Sequence, residues 1–183
     1  MPYGNATPLS IAKDLVSDGP FYYLYGDDLT LSDTPVCKQL AEVLEKNPDA
    51  SAVVAAYEVP DSEVHKYGVA KIKEGTENEM ENLIEKPKLE DAPSNLAVFG
   101  RYLFTPSILP YIENLKAGKD GEMWLADAVN EMAQKEKVLV HKIDGKWLTT
   151  GDPLNHFKTT FEFAMERDDL KEELLKYLKE NIS

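Results

Sequence analysis

The sequence predicts an α/β fold in which a mixed sheet is covered by helices. Two observations lead there. Helix signals alternate with apolar runs of strand length over residues 1–60, and strand-like runs then cluster between residues 69 and 104. The chain has 183 residues, 43% of them hydrophobic and 29% charged, which is enough material and an ordinary balance for one globular core.

The elements follow from local chemistry. Thr7-Pro8 reads as an N-cap with proline at the first helical position, opening a helix to about Val16. Asp18-Gly19-Pro20 breaks it. Phe21-Tyr22-Tyr23-Leu24-Tyr25 is too short for a helix and reads as a buried strand, ended by Gly26-Asp27-Asp28. Thr34-Pro35 opens a helix to about Lys46, with Val36, Leu40, Val43 and Leu44 at helical spacing. Ala50 to Val59 is a second apolar strand. Val69–Lys73 and Met80–Ile84 form a strand pair joined by a polar turn, and Asn95 to Phe104 is another strand. Helical patterns occupy residues 107–116 and 123–135. Val138-Leu139-Val140 and Lys146-Trp147-Leu148 flank Asp144-Gly145, which predicts a hairpin. Asp152-Pro153 caps a helix with Leu154, Phe157, Phe161 and Met165 on one face. A last amphipathic helix carries Leu170, Leu174, Leu175 and Leu178, so helices occupy about residues 153–181. The whole of 1–183 reads as a single domain without repeats.

Composition excludes several partners. A net charge of −13 argues against a nucleic-acid backbone, though a small anion needs only a few local cations. No run approaches the ~18 apolar residues of a membrane span, and no secretory leader is visible. The expectation is a cytoplasmic protein. Cys37 is alone, so no intrachain disulfide forms, and its helical setting reads as a small buried apolar residue.

The chemistry concentrates in three places. Glu85-Lys86-Pro87 ends a strand with a carboxylate beside an ammonium, and the proline fixes the turn. A carboxylate accepts hydrogen bonds from sugar hydroxyls and a lysine neutralises phosphate, so the pair suits a sugar phosphate; a surface salt bridge is the bland alternative. Asp27-Asp28 lies at the end of a strand, where open α/β sheets bind ligands and where acids can hold Mg²⁺. Consecutive side chains on an extended chain diverge, so one of the two faces the metal. Glu122 sits at a helix start, where the dipole favours an acid, and Trp124 reads as core or as a stacking surface. His65, His141 and His156 are too dispersed for a zinc site, and neither a serine nucleophile elbow nor a glycine-rich phosphate loop is present.

Taken in order, Gly4–Leu9, Tyr25-Gly26-Asp27-Asp28-Leu29, Tyr67-Gly68-Val69, Glu85-Lys86-Pro87, Pro93–Tyr102, Gly121-Glu122 with Asp127-Ala128, and Thr150-Gly151-Asp152-Pro153-Leu154 resemble the bacterial UTP–glucose-1-phosphate uridylyltransferases over nearly the whole chain. The resemblance implies a Rossmann-like nucleotidyltransferase fold of the GT-A-like kind, here N-terminally truncated. It implies that Asp27 binds catalytic Mg²⁺ and that Lys86 holds the phosphate of glucose 1-phosphate. It further implies that Glu85 binds sugar hydroxyls, that Gly68, Gly100 and Glu122 line the sugar pocket, and that Gly4 lies near the nucleotide base. The implied reaction joins glucose 1-phosphate to UTP, giving UDP-glucose and pyrophosphate, with these small molecules as partners and a homo-oligomer as a possible state. The family's N-terminal strand, glycine-rich loop and catalytic lysine have no counterpart in these residues. Thr149 stands where the family usually has a second metal-binding aspartate, and Trp124 and Ala126 stand where it commonly has Gln and Thr. A degenerate homologue that binds or assembles with another chain, and a sugar-nucleotide-dependent glycosyltransferase, are the competing readings.

Overall fold

The computed structural model describes residues 3–16, 18–118 and 121–181. Its centre is β3 (Ala52–Glu58), whose residues Ala52 to Ala56 are all fully buried. This strand lies between β6 (Leu96–Phe104), antiparallel to it, and β7 (Val138–Lys142), parallel to it. Such a run is apolar at every position because helices cover both faces. Odd and even side chains separate by the strand period. Val53, Ala55, Phe99 and Leu103 pack toward α2 (Val36–Lys46) with Val36 and Leu40. Val54, Ala56, Tyr102 and Phe104 pack on the opposite face, toward α1 (Thr7–Ala12), α3 (Leu109–Glu113) and α4 (Leu125–Ala133), through Leu9, Ile112, Leu125 and Met132.

The other edge of β6 changes partner along its length. Its C-terminal half pairs with β1 (Phe21–Leu24), Phe104 opposite Phe21 and Arg101 opposite Leu24. Its N-terminal half pairs with β4 (Gly68–Ile72), through Val98 opposite Gly68 and Ala97 opposite Val69. β4 in turn pairs with β5 (Met80–Glu85), the strand pair expected from the sequence. Between the two partners, at Phe99 and Gly100, the edge is open to neither strand. A second, two-stranded ladder joins β2 (Asp28–Leu31) to β8 (Lys146–Thr149), with Asp28 opposite Thr149. The chain ends in α5 (Pro153–Met165) and α6 (Asp168–Asn181); the Asp152 side chain caps α5 by accepting the Asn155 N–H at 3.0 Å.

Several local expectations need correction. Residues 138–149 form no hairpin, since β7 joins the main sheet while β8 crosses to β2. The turn at Asp144 is held from α2: the Gln39 carboxamide donates to the Asp144 carbonyl at 2.8 Å and accepts its N–H at 2.9 Å. β1 is not fully buried, because only its Phe21 and Tyr23 pack on the core while Tyr22 and Leu24 are 41% and 47% exposed. Cys37 is half-buried, its carbonyl taking the Tyr22 hydroxyl. Thr7 is the first helical residue rather than the cap, and Ala6, already helical, stands at the cap position. Glu122 precedes α4 by three residues; Trp124 is the extended cap residue, and the acid in the first turn is Asp127. Among the described residues no helix is long and apolar enough to cross a membrane.

Candidate functional site

The point where β1 and β4 part along β6 opens into a cavity of about 200 Å³. Gly68, Glu85, Gly100, Tyr25, Asp28 and Trp147 are among its walls. A crevice where a strand exchanges neighbours is where open α/β sheets place ligands.

Two adjacent acids divide the work, as the alternation of an extended chain demands. Asp28, only 7% exposed, points inward. Its Oδ2 accepts the Gly100 N–H at 2.8 Å and its Oδ1 accepts the Trp147 indole N–H at 2.7 Å. The Arg101 guanidinium donates to the Asp28 carbonyl, and also to the Tyr25 and Gly100 carbonyls at 2.6 and 2.8 Å. Burial pushes the Asp28 carboxyl up, against the lowering effect of the Gly100 and Trp147 donors and of Arg101. Asp27 points the other way, toward Gly151. A Cβ built on Gly151 would lie 3.5 Å from Asp27 Oδ2 and 3.4 Å from Thr149 Oγ1, so both oxygens flank the same glycine. The Asp27 carbonyl also takes the Thr150 N–H at 2.8 Å, tying this turn to the end of β8.

Glu85 closes β5 directly opposite Gly68 in β4. A Cβ on Gly68 would meet Glu85 Oε2 at 3.0 Å, so the glycine leaves the carboxylate room over the strand. Burial raises the Glu85 carboxyl although the side chain keeps 37% of its exposure; the Lys86 ammonium opposes this and Asp127 adds to it. Lys86 has φ 46°, the one positive value outside glycine among the described residues. Its N–H donates to the Tyr67 carbonyl at 2.9 Å, which holds the turn. The ammonium lies 3.8 Å from Glu85 Oε1. Gly100 is required by packing, since a Cβ there would fall 2.3 Å from the Tyr25 ring. The Tyr25 and Tyr102 rings lie 5.9 Å apart, and burial raises both phenols.

The structure thus brings Gly68, Glu85 and Gly100 to one cavity, with Lys86 beside Glu85 and Asp27 beside Thr149, which itself lines the cavity. Gly4 is placed otherwise. A Cβ there would strike the Met123 carbonyl at 2.2 Å, so it lets the 121–125 segment pack closely, and the neighbouring Asn5 reaches the cavity instead. Glu122 is half-buried on that segment and is not among the cavity walls. Trp124, half-buried, is neither core nor cavity wall. Sequence reasoning missed Trp147, Tyr67 and the inward role of Asp28. The Asp28–Trp147 bond spans 119 residues, and the only local hint was an aromatic residue in a short polar strand.

The family model for nucleotidyl transferases matches residues 1–165. The UTP–glucose-1-phosphate uridylyltransferase of Staphylococcus epidermidis is 39% identical over 171 residues, covering 92% of this chain and 59% of its own. That of Bacillus subtilis is 35% identical over 180 residues, covering 97% and 61%. Among solved structures, a UDP-glucose pyrophosphorylase complexed with UDP-glucose superposes with a TM-score of 0.83 at 32% identity, over 91% of this chain and 64% of that one. The chain therefore spans about three fifths of the length of these relatives. On the match over residues 1–165 and the shared fold, the chain belongs to the nucleotidyl transferase family.

Proposed function

We propose that this chain carries the sugar 1-phosphate half of a UTP–glucose-1-phosphate uridylyltransferase site. The observation that supports it most is the cavity of about 200 Å³ with Glu85, Gly68 and Gly100 on its walls, and the Lys86 ammonium 3.8 Å from the Glu85 carboxylate. Glu85 accepts hydrogen bonds from sugar hydroxyls, and the missing side chains of Gly68 and Gly100 leave room for the Glu85 carboxylate and the Tyr25 ring that wall the cavity. Lys86 offsets the phosphate charge. In the reaction a sugar-phosphate oxygen bonds to the α-phosphorus of UTP while the bond to the departing pyrophosphate breaks. The residues' contribution is orientation and charge neutralisation.

Asp27 and Thr149 are the residues that would hold Mg²⁺. Among the described residues no group of three or more His, Cys, Asp or Glu forms a metal cluster. One carboxylate and a hydroxyl fit magnesium, which commonly takes one or two protein carboxylates and completes its shell with phosphate oxygens and water. Bound there, the ion would neutralise phosphate charge. The 183 residues contain no glycine-rich loop motif for the triphosphate.

Calorimetry with glucose 1-phosphate tests the reading. A charge-assisted lysine–phosphate contact contributes about 1.5–3 kcal/mol, and Lys86 is partly exposed, so Lys86→Ala should weaken binding about tenfold. Equal affinity of mutant and parent would remove Lys86 from the site. The polypeptide 1–183 by itself should bind the sugar phosphate without forming UDP-glucose at an enzyme-like rate; family-like turnover would contradict this division of the site.

A further inference from the structure

Lys86 does not project freely into solvent. Its ammonium lies over the Trp124 ring, 5.4 Å from the centroid, with Glu85 Oε1 at 3.8 Å from Nζ. Both partners stand on fixed backbone. On the lysine side, the positive φ of 46° is held by the N–H to Tyr67 carbonyl bond, and the next residue, Pro87, is buried. On the tryptophan side, the strand-like segment before α4 is pinned by three bonds. Met123 N–H donates to the Tyr3 carbonyl at 3.1 Å, Ala6 N–H donates to the Met123 carbonyl at 3.0 Å, and Leu125 N–H donates to Asn5 Oδ1 at 2.7 Å. A cation within about 6 Å of a tryptophan face is attracted by the ring quadrupole. The lysine side chain is 54% exposed, so part of its donor set remains available to a ligand.

We propose that Trp124 is a positioning residue for Lys86: it holds the ammonium ready beside Glu85, which lines the cavity, so that a sugar phosphate meets a lysine already confined. The proposal rests on the reading of Lys86 as the phosphate ligand. The ring takes one side of the ammonium and the Glu85 carboxylate a second, which leaves the remaining N–H directions for phosphate oxygens. Confinement matters because a long, flexible lysine otherwise loses rotamer freedom on binding. Trp124 itself need not touch the ligand.

Calorimetry on the 183-residue chain tests this with glucose 1-phosphate and glucose as probes. Trp124→Leu should weaken glucose 1-phosphate binding about two- to fivefold, the exposed cation–π range, and leave glucose binding unchanged. Trp124→Phe, which keeps a ring, should recover most of the affinity, and it guards against a leucine variant that fails to fold. On a Lys86→Met background, Trp124→Leu should have no further effect. In the ligand-free protein Lys86→Met should shift the tryptophan emission, and the shift should vanish in Trp124→Phe. If Lys86→Met leaves glucose 1-phosphate affinity intact, or the parent does not bind it, the reading of Lys86 fails and the proposal with it. If Lys86→Met weakens binding while Trp124→Leu does not, or weakens glucose equally, Trp124 has no positioning role although Lys86 keeps its own.

Discussion

Replacing Asp28 tests how the site is built. In Asp28→Ala two donors in a buried setting, the Gly100 N–H and the Trp147 indole N–H, lose their acceptor. Each such loss costs about 1–3 kcal/mol, and the release of a desolvated carboxylate returns part of it. The net expectation is about 2–4 kcal/mol, which for a chain of this size lowers Tm by roughly 5–12 °C. Asp28→Asn keeps one acceptor oxygen but turns an NH₂ toward the other donor, so it should lose roughly half as much. The pH dependence has a definite sign. Burial raises the Asp28 carboxyl in the folded state, so the unfolded chain releases its proton first. The Asp28 contribution therefore falls as pH rises from the ordinary aspartate value through the raised folded one. The difference in stability between parent and Asp28→Asn, followed by urea unfolding across that window, should carry this slope. A stability loss under 0.5 kcal/mol in Asp28→Ala, well below the ~1 kcal/mol of one lost partner, would refute the bonding described. A pH-independent difference for Asn would refute the buried setting of the carboxyl.

Three further outcomes are expected. Gly100→Ala forces the Tyr25 ring out of its place, since the added carbon would sit 2.3 Å from it, and should cost about 1–3 kcal/mol in urea unfolding while weakening glucose 1-phosphate binding. Gly145→Ala combines φ 136° with a Cβ only 2.5 Å from the Leu31 carbonyl; a loss of about 1–3 kcal/mol is expected, and a neutral substitution would show that β8 does not depend on this turn. Thr149→Asp adds a second carboxylate beside Asp27. It should lower Tm without metal, by like-charge repulsion, and should show a larger Tm gain than the parent with Mg²⁺ and UDP-glucose; an equal gain would place Thr149 away from the metal position.

What the sequence revealed was local in origin. The polar turn between two alternating runs predicted the β4–β5 pair, and the end of β5 put Glu85 beside Lys86 where the proline stops the strand. The period of an extended chain was enough to separate Asp27 from Asp28, and Asp152-Pro153 announced the start of α5. The misses were decided at long range. Asp144-Gly145 has the chemistry of a hairpin turn, but the two hydrogen bonds from Gln39, 105 residues away, fix that turn while β8 pairs with β2. The aromatic run of β1 looked buried because hydrophobicity alone does not tell which strands have a partner and a helix on each side. Glu122 reads as a helix start, three residues too early, because a helical pattern does not mark its own first residue without a capping side chain, and Trp124 supplies none.

The site follows from one irregularity in the sheet. Along β6 the backbone groups facing the β1–β4 side must be paired, and Gly100 lies where β1 has ended its ladder and β4 has not begun. Its carbonyl is taken by the Tyr25 N–H at 2.9 Å and its N–H by the Asp28 carboxylate. A side chain has replaced a neighbouring strand, and the space the strand would have filled becomes the cavity. The same carboxylate reaches Trp147 in β8, so the β2–β8 ladder is anchored to the main sheet at this point. That anchoring sets where Asp27 stands, one residue before Asp28, and where Thr149 stands, opposite it in register. The Asp27 turn and the cavity are therefore coupled through Asp28: a change that loosens its two bonds should disturb both, whereas a change at Glu85 or Lys86, on the far strand β5 and its turn, should disturb only the proposed sugar-phosphate contact.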